Sequence, residues 1–110
     1  MCRRLFAEVL EVHSGDDLIL LVEVGIGNLY QKVRARLDGV DTPDAFKAAK
    51  DTEAGRVRDD VLNKVRGKKC QIEVLKEGKS SCIIRLFVGA EADALCLNDY
   101  LREQGYIYEG

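Results

Sequence analysis

Arg34-Ala35-Arg36-Leu37-Asp38-Gly39-Val40-Asp41-Thr42-Pro43-Asp44 decides how this chain is read. Val33, Ala35 and Leu37 alternate with Lys32, Arg34 and Arg36, the period of two that marks a half-buried strand. Gly39 then loosens the backbone, and Pro43 ends the extended run. From Arg36 to Asp44 the chain carries one guanidinium and three carboxylates, Asp38, Asp41 and Asp44. Carboxylates this close repel one another unless a cation sits among them. A fixed arginine beside a hard-cation site is what phosphoryl transfer uses: one group takes the phosphate charge and the other polarises phosphate and water. The same residues also suit an ordinary strand end, with Thr42 capping a helix and Pro43 in its first position. On spacing alone that simpler reading is favoured, so the rest of the chain has to decide.

A chain of 110 residues is one domain with room for a core. Its 46% hydrophobic and 33% charged residues are those of a globular protein. The net charge of −2 argues against a protein that coats nucleic acid non-specifically. It does not exclude an enzyme that handles phosphate with a metal and a few placed arginines. No apolar run is long enough to span a membrane. Met1-Cys2-Arg3-Arg4-Leu5-Phe6 is basic, but Glu8 and Glu11 interrupt the segment behind it, which reads as no signal peptide and a cytoplasmic location. The single proline and the lack of a Ser/Gly tract predict no linker, and no internal repeat is present. Cys2, Cys70, Cys82 and Cys96 have no metal-site spacing, and His13 is the only histidine. The last three cysteines sit in apolar runs and read as reduced core residues.

Strands are expected over Leu5–Val12, Leu18–Val24 and Leu29–Val40, joined by turns at Ser14–Asp17 and Gly25–Asn28. Thr42-Pro43 with Ala45, Ala48 and Ala49 predicts a helical turn or two. Ala54, Val57, Val61, Leu62 and Val65 then predict an amphipathic helix, capped by Asp51 or Thr52 and stopped by Gly67. Its charged residues Arg58, Asp59, Asp60, Lys64 and Arg66 read as a solvated face. Two more strands come next, over Cys70–Leu75 and Ser81–Val88, then a helix over Leu95–Gln104 and an extended Tyr106-Ile107-Tyr108. Five short strands with a helix after the third are the parts of a β-rich α+β fold, a five-stranded OB-fold Greek-key barrel with two helices, in a single domain over residues 1–110.

In this order the chain resembles the thermonuclease family, the staphylococcal-nuclease-like domains. Val12-His13-Ser14-Gly15-Asp16 is similar to the family's Val-x-Asp-Gly-Asp turn. Arg36-Leu37-Asp38-Gly39-Val40-Asp41-Thr42-Pro43-Asp44 is similar to its Arg-Leu-x-Gly-Ile/Val-Asp-Thr/Ala-Pro-Glu. Gly67-Lys68-Lys69-Cys70-Gln71-Ile72-Glu73-Val74 resembles its Gly-Lys-x-Val-x-Leu strand, and Leu97-Asn98-Asp99-Tyr100-Leu101-Arg102-Glu103-Gln104-Gly105-Tyr106 its Val-Asn-x-x-Leu-Val-x-x-Gly-x-Ala helix. The resemblance implies a calcium-dependent phosphodiesterase acting on DNA or RNA, with single-stranded substrate. By position, Asp16, Asp41 and the Thr42 carbonyl would bind Ca2+. Arg36 would hold the scissile phosphate, and Asp44 stands where the family's glutamate orients water.

The chain also departs from that pattern. Ser14 and Asp17 replace an aspartate and a threonine, and Asp44 is one methylene shorter than glutamate. The family's second arginine, which opens the fifth strand, has two candidate positions here. Counting back from Asn98 without a gap gives Arg85. Aligning the end of the strand instead gives Ser81, and the second arginine is then lost; this is the register we prefer, because the apolar run then fills the strand. Two functions are open, a nuclease or a nuclease-derived module that binds nucleic acid or protein without catalysis.

Overall fold

A computed structural model of the protein describes residues 4–25, 29–43, 52–79, 81–89, 91 and 94–108. Alternating side chains build three antiparallel strands in a meander: β1 (Arg4–Ser14), β2 (Asp17–Glu23) and β3 (Tyr30–Leu37). β4 (Cys70–Glu77) then pairs with β1, and β5 (Cys82–Val88) with β4. Ala35, Arg36 and Leu37 of β3 pair in parallel with Cys82, Ile83 and Ile84 of β5, which closes the sheet on itself. The result is the expected closed five-stranded barrel of OB type.

The alternation sets the core. Leu18, Leu20 and Val22 of β2 point inward, as do Ala35 and Leu37 of β3, Cys70 and Ile72 of β4, and Ile84 and Leu86 of β5. Each fully buried aliphatic side chain is worth about 1.5–3 kcal/mol relative to its exposed state. Helix α1 (Glu53–Val65) adds Val57, Val61 and Val65, one stripe at four-residue spacing. Its start is fixed by Thr52, whose Oγ1 accepts from the Gly55 N–H at 3.1 Å. Gly67, at φ 70°, follows its C-terminal cap. The charged face of α1 is not solvation alone, because Asp60 accepts from the Tyr100 hydroxyl at 2.8 Å and thereby ties α1 to the last helix.

That helix, α2 (Leu97–Glu103), is shorter than expected. Leu95 and Cys96 form a two-residue strand, β6 (Leu95–Cys96), against Val88 and Phe87. The end of β5 needs a hydrogen-bonding partner, and that need outweighs the helical pattern. β3 likewise stops at Leu37, because Asp38-Gly39 turns with Gly39 at φ 71°. Val40 instead bridges to Ile107, in the segment expected to be extended. Of the helical turn expected after Thr42, Thr42 and Pro43 are irregular, and residues 44–51 lie outside the described residues.

The buried Asn98 locks these parts together. It is 2% exposed. Its Oδ1 accepts from the Leu86 N–H at 2.9 Å, and its Nδ2 donates to the carbonyls of Asp38 at 3.0 Å and Ile84 at 3.1 Å. One side chain thus joins α2, β5 and the turn beyond β3. Asn98→Ala leaves the Leu86 N–H and the Asp38 carbonyl without this partner, and a urea melt is expected to show a loss of about 1–3 kcal/mol. Arg102→Ala, which removes only an exposed bond to the Gly39 carbonyl, is expected to cost about 1 kcal/mol or less.

Candidate functional site

Two short segments meet at one end of the barrel. The first is the β1–β2 turn, Ser14 to Asp17. Gly15 allows it to sit tightly under α1: a Cβ there would lie 2.6 Å from Val57 Cγ1 and 2.8 Å from Thr42 Cγ2. The second is the end of β3 and its continuation to Thr42. The Leu37 N–H donates to the Asp16 carbonyl at 3.0 Å, joining the two.

Asp16 is the hub, only 4% exposed as a residue. Its Oδ1 accepts from the Thr42 hydroxyl at 2.9 Å, and its Oδ2 lies 3.5 Å from Arg36 Nη2. Arg36 itself remains half exposed. Asp41 is exposed beside it. Asp16, Arg36, Asp41 and Thr42 therefore share one open cleft of about 590 Å³, with His13 and Ser14 on its wall. The structure brings together four of the residues that the sequence singles out. Asp44 lies outside the described residues.

Neither candidate for the second arginine lines this cleft. Arg85 lies over β4 and α2, with Nη1 3.7 Å from Glu73 and Nη2 3.8 Å from Asp99. A contact with Cys96 Sγ at 3.8 Å is the main influence that raises its pKa. Ser81 lines the opposite mouth of the barrel with Lys79 and Cys82. The β5 residue across from Arg36 is Ile83, midway between the two. Ile83 lines an adjoining hollow with Arg36, Asp41 and Tyr108.

Sequence reasoning missed a second guanidinium at the cleft. Arg34 donates to Asp17 through Nε at 3.1 Å and Nη2 at 2.7 Å, a bidentate pair. That hydrogen bonding holds the Arg34 pKa above its ordinary value. The extra carboxylate that Asp17 brings to the turn is thus engaged by Arg34. The period of β3 already put Arg34 on the same face as Arg36; only the pairing of β2 with β3 shows which acid it meets. Burial pushes the Cys70 and Cys82 thiols up, which suits core residues and not nucleophiles.

For a metal, the cleft offers the carboxylates of Asp16 and Asp41, with Thr42 beside them. These oxygens suit a hard cation in kind, with water completing the shell. They are few: among the described residues no group of three or more His, Cys, Asp or Glu side chains stands ready for a metal. Both Asp16 oxygens already face Thr42 and Arg36, so a cation there has to compete with them.

No protein-family model matches the chain, and a search of curated proteins finds no relative.

Gly15 is the position on which this geometry is most exposed to change. Gly15→Ala forces Val57 or Thr42 to move and is expected to cost about 1–3 kcal/mol by chemical denaturation. Ser14→Ala, in the same turn, is expected to cost less.

Proposed function

We propose that the protein binds the phosphodiester backbone of DNA or RNA in this cleft and hydrolyses it with the help of a divalent cation, calcium being the ion that the resemblance to thermonucleases implies. The observation that carries the reading is Arg36, half exposed and 3.5 Å from the buried Asp16, in the same cleft as Asp41 and Thr42. A guanidinium matches two phosphate oxygens with its planar fork, which an ammonium cannot do. The Arg36 backbone is set by β3, and its half-exposed side chain has only to turn from Asp16 to meet the phosphate. Asp16 and Asp41 would hold the cation with the Thr42 carbonyl. When bound, the cation supplies Lewis-acid polarisation of the phosphate and of a water. Thr42 orients Asp16 by its hydroxyl, and Arg36 binds and stabilises the transition-state charge.

A second reading keeps the binding and drops the catalysis. It is favoured by the placement of Arg85 against Glu73 and Asp99, away from the cleft, and by the Asp17 carboxylate that neutralises Arg34. Only Arg36, itself 3.5 Å from Asp16, then faces the phosphate.

Initial rates on a single-stranded oligonucleotide with calcium separate these readings. Cleavage that Arg36→Ala lowers by roughly 100- to 1,000-fold supports the nuclease. Binding without cleavage supports the module. On the nuclease reading, Ile83→Arg places a second guanidinium across from Arg36 and is expected to raise the rate. Ser81→Arg and Arg85→Ala are expected to leave it within a few-fold. Calcium is also expected to raise the melting midpoint, adding about 2.7 kcal/mol at a hundredfold excess over Kd. The Asp16→Ala, Asp41→Ala double variant should lose that gain, and an equal gain in the variant would show that the ion binds elsewhere.

A further inference from the structure

The outer face of β3 carries more than Arg36. Lys32, Arg34 and Arg36 all point outward and are exposed, one every second residue, about 6.8 Å apart. Their neighbours across β2 are Leu21, Ile19 and Asp17. The row therefore has a cationic edge beside an apolar strip, with an acid only at its cleft end. Arg34 is partly neutralised by Asp17, whereas Lys32 makes no ion pair among the described residues. The row ends at Tyr30, 51% exposed.

Tyr30 is also one wall of a separate hollow of about 330 Å³. The facing wall is Phe6 of β1, 39% exposed. Leu21 and Glu23 lie between them, and Lys69 stands at the Phe6 side, its Nζ 4.5 Å from the ring centroid. Two strand spacings separate β1 from β3, roughly 9–10 Å. At about 330 Å³ the hollow has room for one heteroaromatic ring beside Tyr30 and Phe6. Glu8 and Glu23 line the slot and disfavour a phosphate there. A carboxylate is, however, a good acceptor for the amino or imino N–H of a base.

We propose that a single nucleic-acid strand leaves the cleft along β3, with phosphates on Arg36, Arg34 and Lys32, and that a base of the same strand stacks in the slot between Tyr30 and Phe6. This rests on the reading of the cleft as a phosphodiester site and extends it to a second, distant subsite. From Arg36 to Tyr30 the path is about 20 Å, so a dinucleotide reaches only the cleft. A strand of about four nucleotides or more, the lower end of what an OB-type barrel engages, reaches the slot. A base in the slot must be unpaired, so the subsite selects single strands over duplex.

The test is fluorescence anisotropy with phosphorothioate-linked, labelled strands in calcium: a dinucleotide, a hexanucleotide and a hexanucleotide duplex. The hexanucleotide is expected to bind more tightly than the dinucleotide and the duplex. Tyr30→Ala should weaken hexanucleotide binding by about fivefold or more, and Tyr30→Phe should retain it. Lys32→Gln should reduce the slope of log K against log salt by about 0.7. Neither change should alter dinucleotide binding, which Arg36→Ala should abolish. If the dinucleotide binds through Arg36 and the hexanucleotide binds no better, or is indifferent to Tyr30 and Lys32, the path along β3 is overturned and the cleft stands. If wild type binds none of the strands, both fall.

Discussion

The side-chain amide of Asn98 is the constraint on which the site depends. A closed barrel leaves a problem where β3 ends and its chain departs from the sheet. The carbonyls of Asp38 and Ile84 and the N–H of Leu86 are backbone groups at this seam, the last two of them buried, and such groups need partners. Asn98 supplies all of them at 2.9–3.1 Å. A carboxylate has no donor and an aliphatic side chain has neither group, so few side chains can replace it. Further bonds reinforce this seam. The Asp38 N–H donates to Ile84, and the Gly39 carbonyl accepts from both Tyr108 and Arg102.

The cleft inherits its rigidity from that seam. Arg36 lies two residues before Asp38, and Asp41 and Thr42 lie just beyond it. With the turn pinned, Thr42 can reach back to Asp16 at 2.9 Å, and Asp16 in turn sits beside Arg36. Groups from a turn, a strand end and the segment beyond it are thereby held at one place by a helix that contributes none of them. Asp16 is buried, so its partners matter for stability as well as for chemistry: removing one leaves a polar group that is costly to bury. The same economy limits the site, because the partners that stabilise Asp16 compete with any cation for its oxygens.

Much of this was legible in the sequence, and the exceptions have physical reasons. Period-two alternation marked β3, apolar runs between turn signals marked the other barrel strands, and a four-residue stripe marked α1. The Arg36-to-Thr42 block and the Val12-to-Asp16 turn gave the cleft residues the structure brings together. The partner of Arg36 on β5 was not legible. Ser81, Ile83 and Arg85 differ by two residues each, so all lie on one face of the strand. Alternation detects a slip of one residue and is blind to a slip of two. The Arg34–Asp17 pair was hidden for a related reason: it is a diagonal contact between neighbouring strands, and it needs the register of β2 against β3. β6 was missed because Leu95-Cys96 has no strand pattern of its own, only a free edge of β5 to complete.

The central claim is that Asp16, Asp41 and Arg36 form a single site for a cation and a phosphodiester. A crystal structure with calcium and a phosphorothioate dinucleotide tests it most directly. The expected result is a cation about 2.3–2.6 Å from oxygens of both Asp16 and Asp41, with Arg36 turned from Asp16 onto the phosphate. A structure in which Arg36 stays on Asp16, while calcium and the dinucleotide bind elsewhere or not at all, would contradict it.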